Sequence, residues 1–595
     1  MKKKPMNYLF FLSMAISFTA SDSLQGAILH VSGDAEIGGD GSSWEAPLSA
    51  IGEASALAGS GDQIWIKTGT YNEAIELVPG IELYGGFAGT EATDEFELRR
   101  PDLNITTIDA SGLNTSVVLG ASGSLLDGFT ITGGVAPRGG GIACFGTAMT
   151  INHCKVVGNR AEALSGESAY GGGVYCTSAA LTVTNSEFSN NRVSGAVLLN
   201  ESADVGPFGG DTYDENGNLA SIGLDASDEF GGFGGGLYLS GGPFVLENLD
   251  ILDNRVIPDA TGFVGQSRGT MGLRAKGGGV FVRGRVNVTG CEISRNEAVT
   301  ESIPATAICQ GGGLFVDGEG TVRRTFISMN SAGYYTSGGA HAKGGGFLVS
   351  GTGAFSNCVF SDNSVQAYAF NGGWSDFGSG GFGDGDLVFT NCTKEFDSGS
   401  FYLLGSASFT NSIVSLNSQI IPNATVKFCD VTGLLEHFPG NGNIDQEPRF
   451  VDPENDDFRL RPDSPLIDAG TDVMLSEDIL GATRPVDIPG VGRDGPGAFD
   501  IGAYEFQLAD LPTPTPTRTS TPTATPTPTF EDLIGDIDEN EDLNELDLLL
   551  LAMDWHRVDV GEATSQWGMK TNLNDDNRVD SLDVLIFLND WLRNH

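Results

Sequence analysis

The side chains best spaced for chemistry lie near the C-terminus, where "DIDENEDLNELDLLLLAMDW" and "NLNDDNRVDSLDVLIFLNDW" align without a gap. Each stretch places a Trp, Trp555 or Trp591, eight residues after an Asp, Asp547 or Asp583. Oxygen-bearing side chains recur at loop positions 1, 3, 5, 9 and 12: Asp536, Asp538, Asn540, Asn544 and Asp547, then Asn572, Asn574, Asp576, Asp580 and Asp583. A calcium ion takes six to eight oxygens, and this spacing wraps them around one ion, with position 7 (Asp542 and Arg578) giving its backbone carbonyl. An apolar helix is expected after each loop, over Leu546 to Met553 and Leu582 to Leu588. Two bound Ca2+ ions are therefore the expected cofactors, and a solvated acidic helical pair without metal is the alternative.

What precedes these loops must hold them at a distance. Residues 512–530 are almost entirely Pro and Thr, a composition that stays extended without internal hydrogen bonds and spans roughly 55 Å at about 3.1 Å per residue. The 595-residue chain carries a net charge of −46, which disfavours nucleic acid and anionic membranes as partners. Its 40% hydrophobic content still supplies a sizeable core, so the acidity is not a mark of disorder. The 85 glycines follow no Gly-X-Y period, which points away from collagen and towards many tight turns. Lys2, Lys3 and Lys4, the apolar run from Tyr8 to Phe18 and small residues near Ala20 read as a signal peptide ending by residue 27. The run is too short to span a bilayer comfortably, so the mature chain is expected to be secreted, free or associated with the cell surface.

Self-similarity decides the fold expectation. Gly-Gly-Gly followed by an apolar residue occurs at 139–142, 171–174, 234–237, 277–280, 311–314 and 344–347, and the third Gly precedes an Asn by 18, 18, 18, 17, 17 and 17 residues. These are Asn159, Asn191, Asn254, Asn296, Asn330 and Asn363, each three residues after an aliphatic or aromatic residue, and Asn417 closes a weaker copy. Between them the residues alternate with period two and carry no helical stripe, which predicts short strands of a β-solenoid whose coils stack at about 4.8 Å. Identical positions then form columns, and a buried Asn column can bond along the stack.

Cys154, Cys291, Cys358 and Cys392 each precede an Asn-column position by five residues, and Cys144 and Cys176 follow the triple Gly by three. All six are expected to point inward, as small apolar fillers or, for Cys144 and Cys176, as a bridge between adjacent coils. Cys309 and Cys429 fall outside this register. A short helix with Leu48, Ile51 and Ala58 on one face is expected to cover the first coil, because an open terminal coil invites aggregation.

The triple-Gly and Phe-x-x-Asn cadence is similar to the repeats of chlamydial polymorphic outer-membrane proteins and related bacterial right-handed parallel β-helix proteins. "DGSSWEAPLSAI", "LLDGFTITGG" and "DQEPRFVDPENDDFRLRPDSPLIDAGT…DIGAYEF" resemble the opening and closing segments of such secreted proteins. The duplicated loops resemble a type I dockerin, which implies a cohesin-like partner contacted through loop positions 10 and 11: Glu545, Leu546, Ser581 and Leu582. Loop position 6, usually Gly, is Glu541 and Asn577 here, and Asn572 removes a charge at position 1 of the second loop. The expected organisation is a signal peptide (1–27), an N-terminal cap with the first coils (28–135), β-helix repeats (136–442) with an insertion at 192–233, and a closing segment (443–511). The Pro/Thr linker (512–530) and the dockerin-like module (531–595) follow.

Catalytic motifs are missing. Neither an Arg-x-Pro-x-x-Arg pattern nor Gly-His-Gly, Gly-x-Ser-x-Gly or phosphate-loop motifs occur, and the six His are scattered. No catalytic residue is therefore assigned. The acidic insertion, with Asp211, Asp214, Glu215, Asp225, Asp228 and Glu229, and a strip of Arg268, Arg274, Lys276, Arg283 and Arg285 are the remaining candidate binding surfaces. The expected function is binding of polysaccharide or another surface ligand by a tethered β-helix. The alternative is a dockerin-bearing polysaccharide lyase or glycoside hydrolase.

Overall fold

A computed structural model describes residues 26–510, apart from position 37, the stretches 164–166, 178–179, 196–211, 214–218, 222–230, 259–271, 304–305, 337–339, 370–373, 395–399 and 415–423, and positions 432, 434, 437, 494 and 496. Asn417, the signal peptide, the linker and the whole tail lie outside the described residues.

The described residues are almost entirely β, a parallel β-helix in which successive coils pair in parallel register within a 27-stranded sheet. One coil shows the pattern. Gly277–Gly279 turn the chain into the strand Val280–Thr289, bent at Gly284 (φ +130°); Gly290 makes a left-handed corner into Glu292–Ser294; Arg295 makes a second, before Asn296. Period-two alternation sends every second residue inward, so identical positions stack. Leu83, Leu126, Ile151, Val183, Leu246, Val288, Val322, Phe355, Phe389, Phe409 and Val426 form one such column, all buried. Each buried aliphatic or aromatic side chain contributes roughly 1.5–3 kcal/mol.

The triple Gly answers two separate demands. The first Gly of each copy takes a φ between +61° and +66° at Gly139, Gly171, Gly234, Gly277, Gly311 and Gly344, a region L residues avoid. The other two face the next coil: a Cβ on Gly278 would lie 2.3 Å from the Gly312 carbonyl oxygen, and one on Gly279 only 2.7 Å from that of Gly313.

The Asn column is continuous. The backbone N–H and the side-chain Nδ2 of Asn254 both donate to Oδ1 of Asn296 at 3.0 Å, and the same pair of bonds links Asn159 to Asn191, Asn191 to Asn254, Asn296 to Asn330 and Asn330 to Asn363. Each Nδ2 also donates to the carbonyl of the apolar motif residue one coil back, as Asn296 does to Ile251 at 2.8 Å. Apolar residue and Asn thus recur together because one coil's carbonyl is satisfied by the next coil's amide.

Beyond each Asn the chain leaves the body and returns, as in Glu297–Ile303 and Thr306–Gln310. These excursions stack into a seven-stranded and a six-stranded sheet that pack on each other through Ala161, Ala163, Ala169, Ala275, Ala298, Ala307, Ala332, Ala342 and Ala367 with Val193, Val256 and Cys309. Alanine lets two sheets approach closer than the usual ~10 Å, which gives a thin fin on the body.

At the N-terminal end the helix Ile51–Leu57 lies on the first coils, with Leu48, Ile51 and Ala58 in the core and the Glu73 carboxylate accepting from the N–H groups of Ile51 and Gly52. The closing segment packs on the last coils. Arg484 is wholly buried: Nε donates to Glu505 Oε2 (2.6 Å), Nη1 to Asn357 Oδ1 (2.7 Å), and Nη2 to the carbonyls of Gly502 and Tyr504. Asp500 accepts from the N–H groups of Asp468 and Phe506, which accounts for both acids of "DIGAYEF".

Asp430, in one of the last coils, is fully buried; Oδ1 accepts from the Gln446 N–H at 3.0 Å and Oδ2 has no hydrogen-bond partner. Burial, with Asp445 nearby, pushes its carboxyl up from 3.8 to about 7. The folded state therefore holds a proton that the unfolded chain releases near pH 4. The stability this contributes is complete below pH 4 and is lost as pH rises through 7. Asp430→Asn removes that dependence. Urea midpoints of variant and parent should diverge in the variant's favour between about pH 4 and pH 7 and then run parallel, by roughly 4 kcal/mol in all; pH profiles that stay parallel throughout would refute the assignment.

Candidate functional site

Along the face formed by Glu292–Ser294 and its equivalents, the residue just before each apolar motif position points outward. Strand register stacks these as Thr130, Lys155, Glu187, Asp250, Glu292 and Phe326. They floor an open groove. One part, of about 540 Å³, is walled by the left-handed corner residues His153, Asn185 and Asn248 and by Arg99, Pro101, Asp102 and Ile105 from the loop after the short helical turn Phe96–Leu98. A second part, of about 330 Å³, shares Asn248 and Asp250 and ends at Arg324, Phe326, Ile479 and Leu480.

The wall at the Arg99 end is wired through one carboxylate. Arg99 Nη2 donates to Asp127 Oδ1 at 2.6 Å while Nη1 donates to the Gly85 and Asp127 carbonyls. Asn152 Nδ2 reaches Asp127 Oδ2 (2.6 Å) and His153 Nδ1 (2.7 Å), and Asn152 Oδ1 accepts from Thr184 and Asn185. Asn248 donates to Asn185 Oδ1 in turn, so the amides of three coils hold one another in place.

The floor is polar with its cations matched. Lys155 Nζ lies 3.4 Å from Glu187, and Arg324 lies 2.8 Å from Glu477 of the closing segment. Glu187 and Glu292 each accept from a serine hydroxyl two residues on, Ser189 and Ser294. Asp250 sits between two carboxylates, and burial first, then Glu292 and Glu187, raise its carboxyl above the usual range while Lys155 opposes the shift. The groove thus offers amides, carboxylates and one ammonium at coil spacing, a set that hydrogen-bonds hydroxyl groups of an extended ligand.

The surfaces expected from sequence fall differently. Of the basic strip, Arg268 lies outside the described residues; Arg274 and Lys276 are buried at the base of the fin, with Lys276 Nζ 5.2 Å from the Phe315 ring centroid. Arg283 and Arg285 face Asp317 and Glu319 of the next coil at 3.0 and 2.6 Å, so these cations do not form one open basic surface. Asp211, Asp214, Glu215, Asp225, Asp228 and Glu229 of the insertion lie outside the described residues, as do all calcium-loop and partner positions of the tail. Cys429, read as out of register, occupies the column of Cys154, Cys291, Cys358 and Cys392, because the Ser412 N–H bonds its sulfur as the Cys392 N–H bonds Ser412 Oγ. Cys309 lies in the alanine layer of the fin. Among the described residues no group of three or more His, Cys, Asp or Glu is arranged to hold a metal ion, and no helix is long and apolar enough to cross a membrane.

No protein-family model matches the chain and no curated protein matches its sequence. Solved structures similar to it include pectate lyase Pel9A (15% identity over 81% of this chain and 96% of that one, TM-score 0.35). A pectin methylesterase from carrot (12%, 69% and 89%, TM-score 0.23) and XylC in complex with xylose (10%, 81% and 98%, TM-score 0.32) are further examples. Likeness of this degree assigns no activity, and the parallel β-helix rests on the strand register itself.

Proposed function

We propose that this is a secreted or cell-surface protein whose right-handed β-helix holds a polysaccharide along the axial groove. A calcium-dependent, dockerin-like tail tethers it to a cohesin-like partner. The observation that carries the reading is the groove, which is open along the stack, floored by one outward side chain per coil and walled by interlocked amides. A ligand with hydroxyls repeating along its length meets a matching repeat of donors and acceptors. The long Pro/Thr spacer and the duplicated acidic loops support tethering.

Asp250 favours a second reading, a polysaccharide lyase or glycoside hydrolase. Register stacks Glu187, Asp250 and Glu292 on successive coils, so carboxyl groups stand side by side along the groove, and glycosidases work with such a pair. Burial and the two flanking carboxylates raise the Asp250 carboxyl, which is the direction a general acid needs.

One experiment separates the two. The full chain is incubated with acidic and neutral polysaccharides, with calcium or a chelator, while retention, near-UV absorbance of unsaturated uronates and reducing ends are followed. Retention on one polymer without new chain ends is expected. Glu187→Gln with Asp250→Asn should weaken that retention about tenfold, or about 1.4 kcal/mol, and the chelator should release the chain from an immobilised cohesin domain but not from the polymer. New chain ends that vanish in Asp250→Asn would establish the enzyme, and no retention on any polymer would end both readings.

A further inference from the structure

The eight cysteines are all buried and unbridged in the structure, yet the fold does not treat them alike. Cys144 and Cys176 are register partners on neighbouring parallel strands, both turned into the core. The Cys144 thiol donates to Met149 Sδ at 3.2 Å, and Cys176 beside it, with burial, pushes the Cys144 thiol well up. Cys358 and Cys392 repeat the arrangement: Val359 and Thr393 are register partners, the Thr393 N–H donates to the Cys358 carbonyl at 2.8 Å, and burial together with Cys392 pushes the Cys358 thiol well up. Strands in register lie about 4.8 Å apart, inside the roughly 4.4–6.8 Å Cα separation that a disulfide spans.

The other four have no cysteine at the stacked position of an adjacent coil. Cys154 is followed by Ser186, whose hydroxyl accepts its N–H; Ser412 separates Cys429 from Cys392. Cys291 sends its sulfur to the Leu246 and Thr289 carbonyls, and Cys309 is flanked by Ala275 and Ala342. Register therefore selects two pairs out of eight thiols.

We propose that Cys144–Cys176 and Cys358–Cys392 are joined as two disulfides between neighbouring coils when the chain folds in an oxidising compartment, leaving Cys154, Cys291, Cys309 and Cys429 as thiols. The compartment rests on the secreted reading above; the pairing rests on register alone. The chemistry is thiol–disulfide exchange with a disulfide oxidant, oxidised glutathione or a protein disulfide. One cysteine thiolate attacks an oxidant sulfur and expels the first thiolate. Its neighbour, deprotonated, then attacks the mixed disulfide, forming the Sγ–Sγ bond and expelling the second. Each pair loses two electrons and two protons, and the oxidant leaves as two thiols. Because the finished core hides every sulfur, the step belongs to the stage when two coils have docked and the core is still open.

Placement gives the bridges a role. The coils joined by Cys144–Cys176 are those that carry Lys155 and Glu187, so this bridge ties together two steps of the groove floor. Cys358–Cys392 joins the coils of Asn357 and Asn391, which bond the closing segment through Glu477, Arg484, Asp500 and Gly502. In a stack stabilised only by nearest neighbours, cross-links at two places along it stop fraying from passing inwards.

The full chain is produced in two ways, by export through an oxidising compartment and by refolding reduced chain in a glutathione redox buffer. Both samples are alkylated in denaturant without reduction and mapped by mass spectrometry. The expected result is a chain about 4 Da lighter than its reduced form, cross-linked peptides containing Cys144 with Cys176 and Cys358 with Cys392, and label on the other four. Cys144→Ala with Cys358→Ala should lower the melting midpoint of the oxidised chain by several degrees and leave that of the reduced chain nearly unchanged. Eight labelled cysteines in both samples, or any other pairing, would overturn the proposal. Bridges in the refolded sample alone would uphold the pairing and count against secretion.

Discussion

Replacing Arg484 with methionine is expected to cost about 3–5 kcal/mol of stability, read as a large drop in the urea midpoint, because it strands a buried carboxylate. Arg484 is the sole cation bonded to Glu505 among the described residues, and Glu505 shares its surroundings with Asp500, whose carboxyl is already pushed well up by burial and by Glu505. Arg484→Lys should not rescue the fold. An ammonium cannot reach Glu505, Asn357 and two carbonyls from the positions that the planar guanidinium occupies. Pairing Arg484→Met with Glu505→Gln should recover part of the loss, since the stranded charge is then removed. If the single methionine variant melts within 1 kcal/mol of the parent, as estimated from the urea curve, the closing segment is not held as described.

Asn296→Ala is expected to be comparably severe, at about 3–5 kcal/mol. It removes the acceptor of both Asn254 donors and the donor to the Ile251 carbonyl. Buried backbone groups are then left unpaired at roughly 1–3 kcal/mol each. Asn296→Asp keeps the acceptor but loses the donor and adds a buried charge, so it should be no better. Amide hydrogen exchange should quicken first at residue 254, whose N–H loses its acceptor. Unchanged exchange at that position would contradict a bonded ladder.

Both variants bear on how much of the fold the chain displays in its sequence. Stacking sets each residue on its equivalent, so positions that need one particular residue must repeat it. The triple Gly is needed for φ and for backbone approach, and Asn for its paired donor and acceptor, and both are visible as a period. The fin is not. Its strands follow each Asn through segments of varied length, their inward residues are mostly alanine, and alanine marks neither strand nor core strongly. Cys429 was lost for a related reason. Where the fin ends, coils shorten to 20 and then 17 residues between the Cys392, Ser412 and Cys429 positions, and a spacing learned on longer coils no longer applies.

The groove was partly legible. Lys155, Glu187, Asp250 and Glu292 each precede the apolar residue of the Phe-x-x-Asn cadence, so the motif already placed them on one outward column. What the motif cannot show is which outward column is recessed. That depends on the loop of Arg99 and Pro101 and on Ile479 and Leu480, which arrive from distant parts of the chain. The six His are scattered along the sequence, and only the corner geometry brings His153 to the groove wall.

The most direct test of the groove is a lysine footprint. Lys155 is 63% exposed on the floor, whereas Lys427, also exposed, lies on a different strand of one of the last coils. The full chain would be acylated briefly with and without a saturating oligosaccharide of the polymer that retains it, and modification at each lysine quantified. Protection of Lys155 with Lys427 unchanged is the expected result. Equal labelling of Lys155 in both samples, while the oligosaccharide is demonstrably bound, would place the ligand elsewhere and contradict the account.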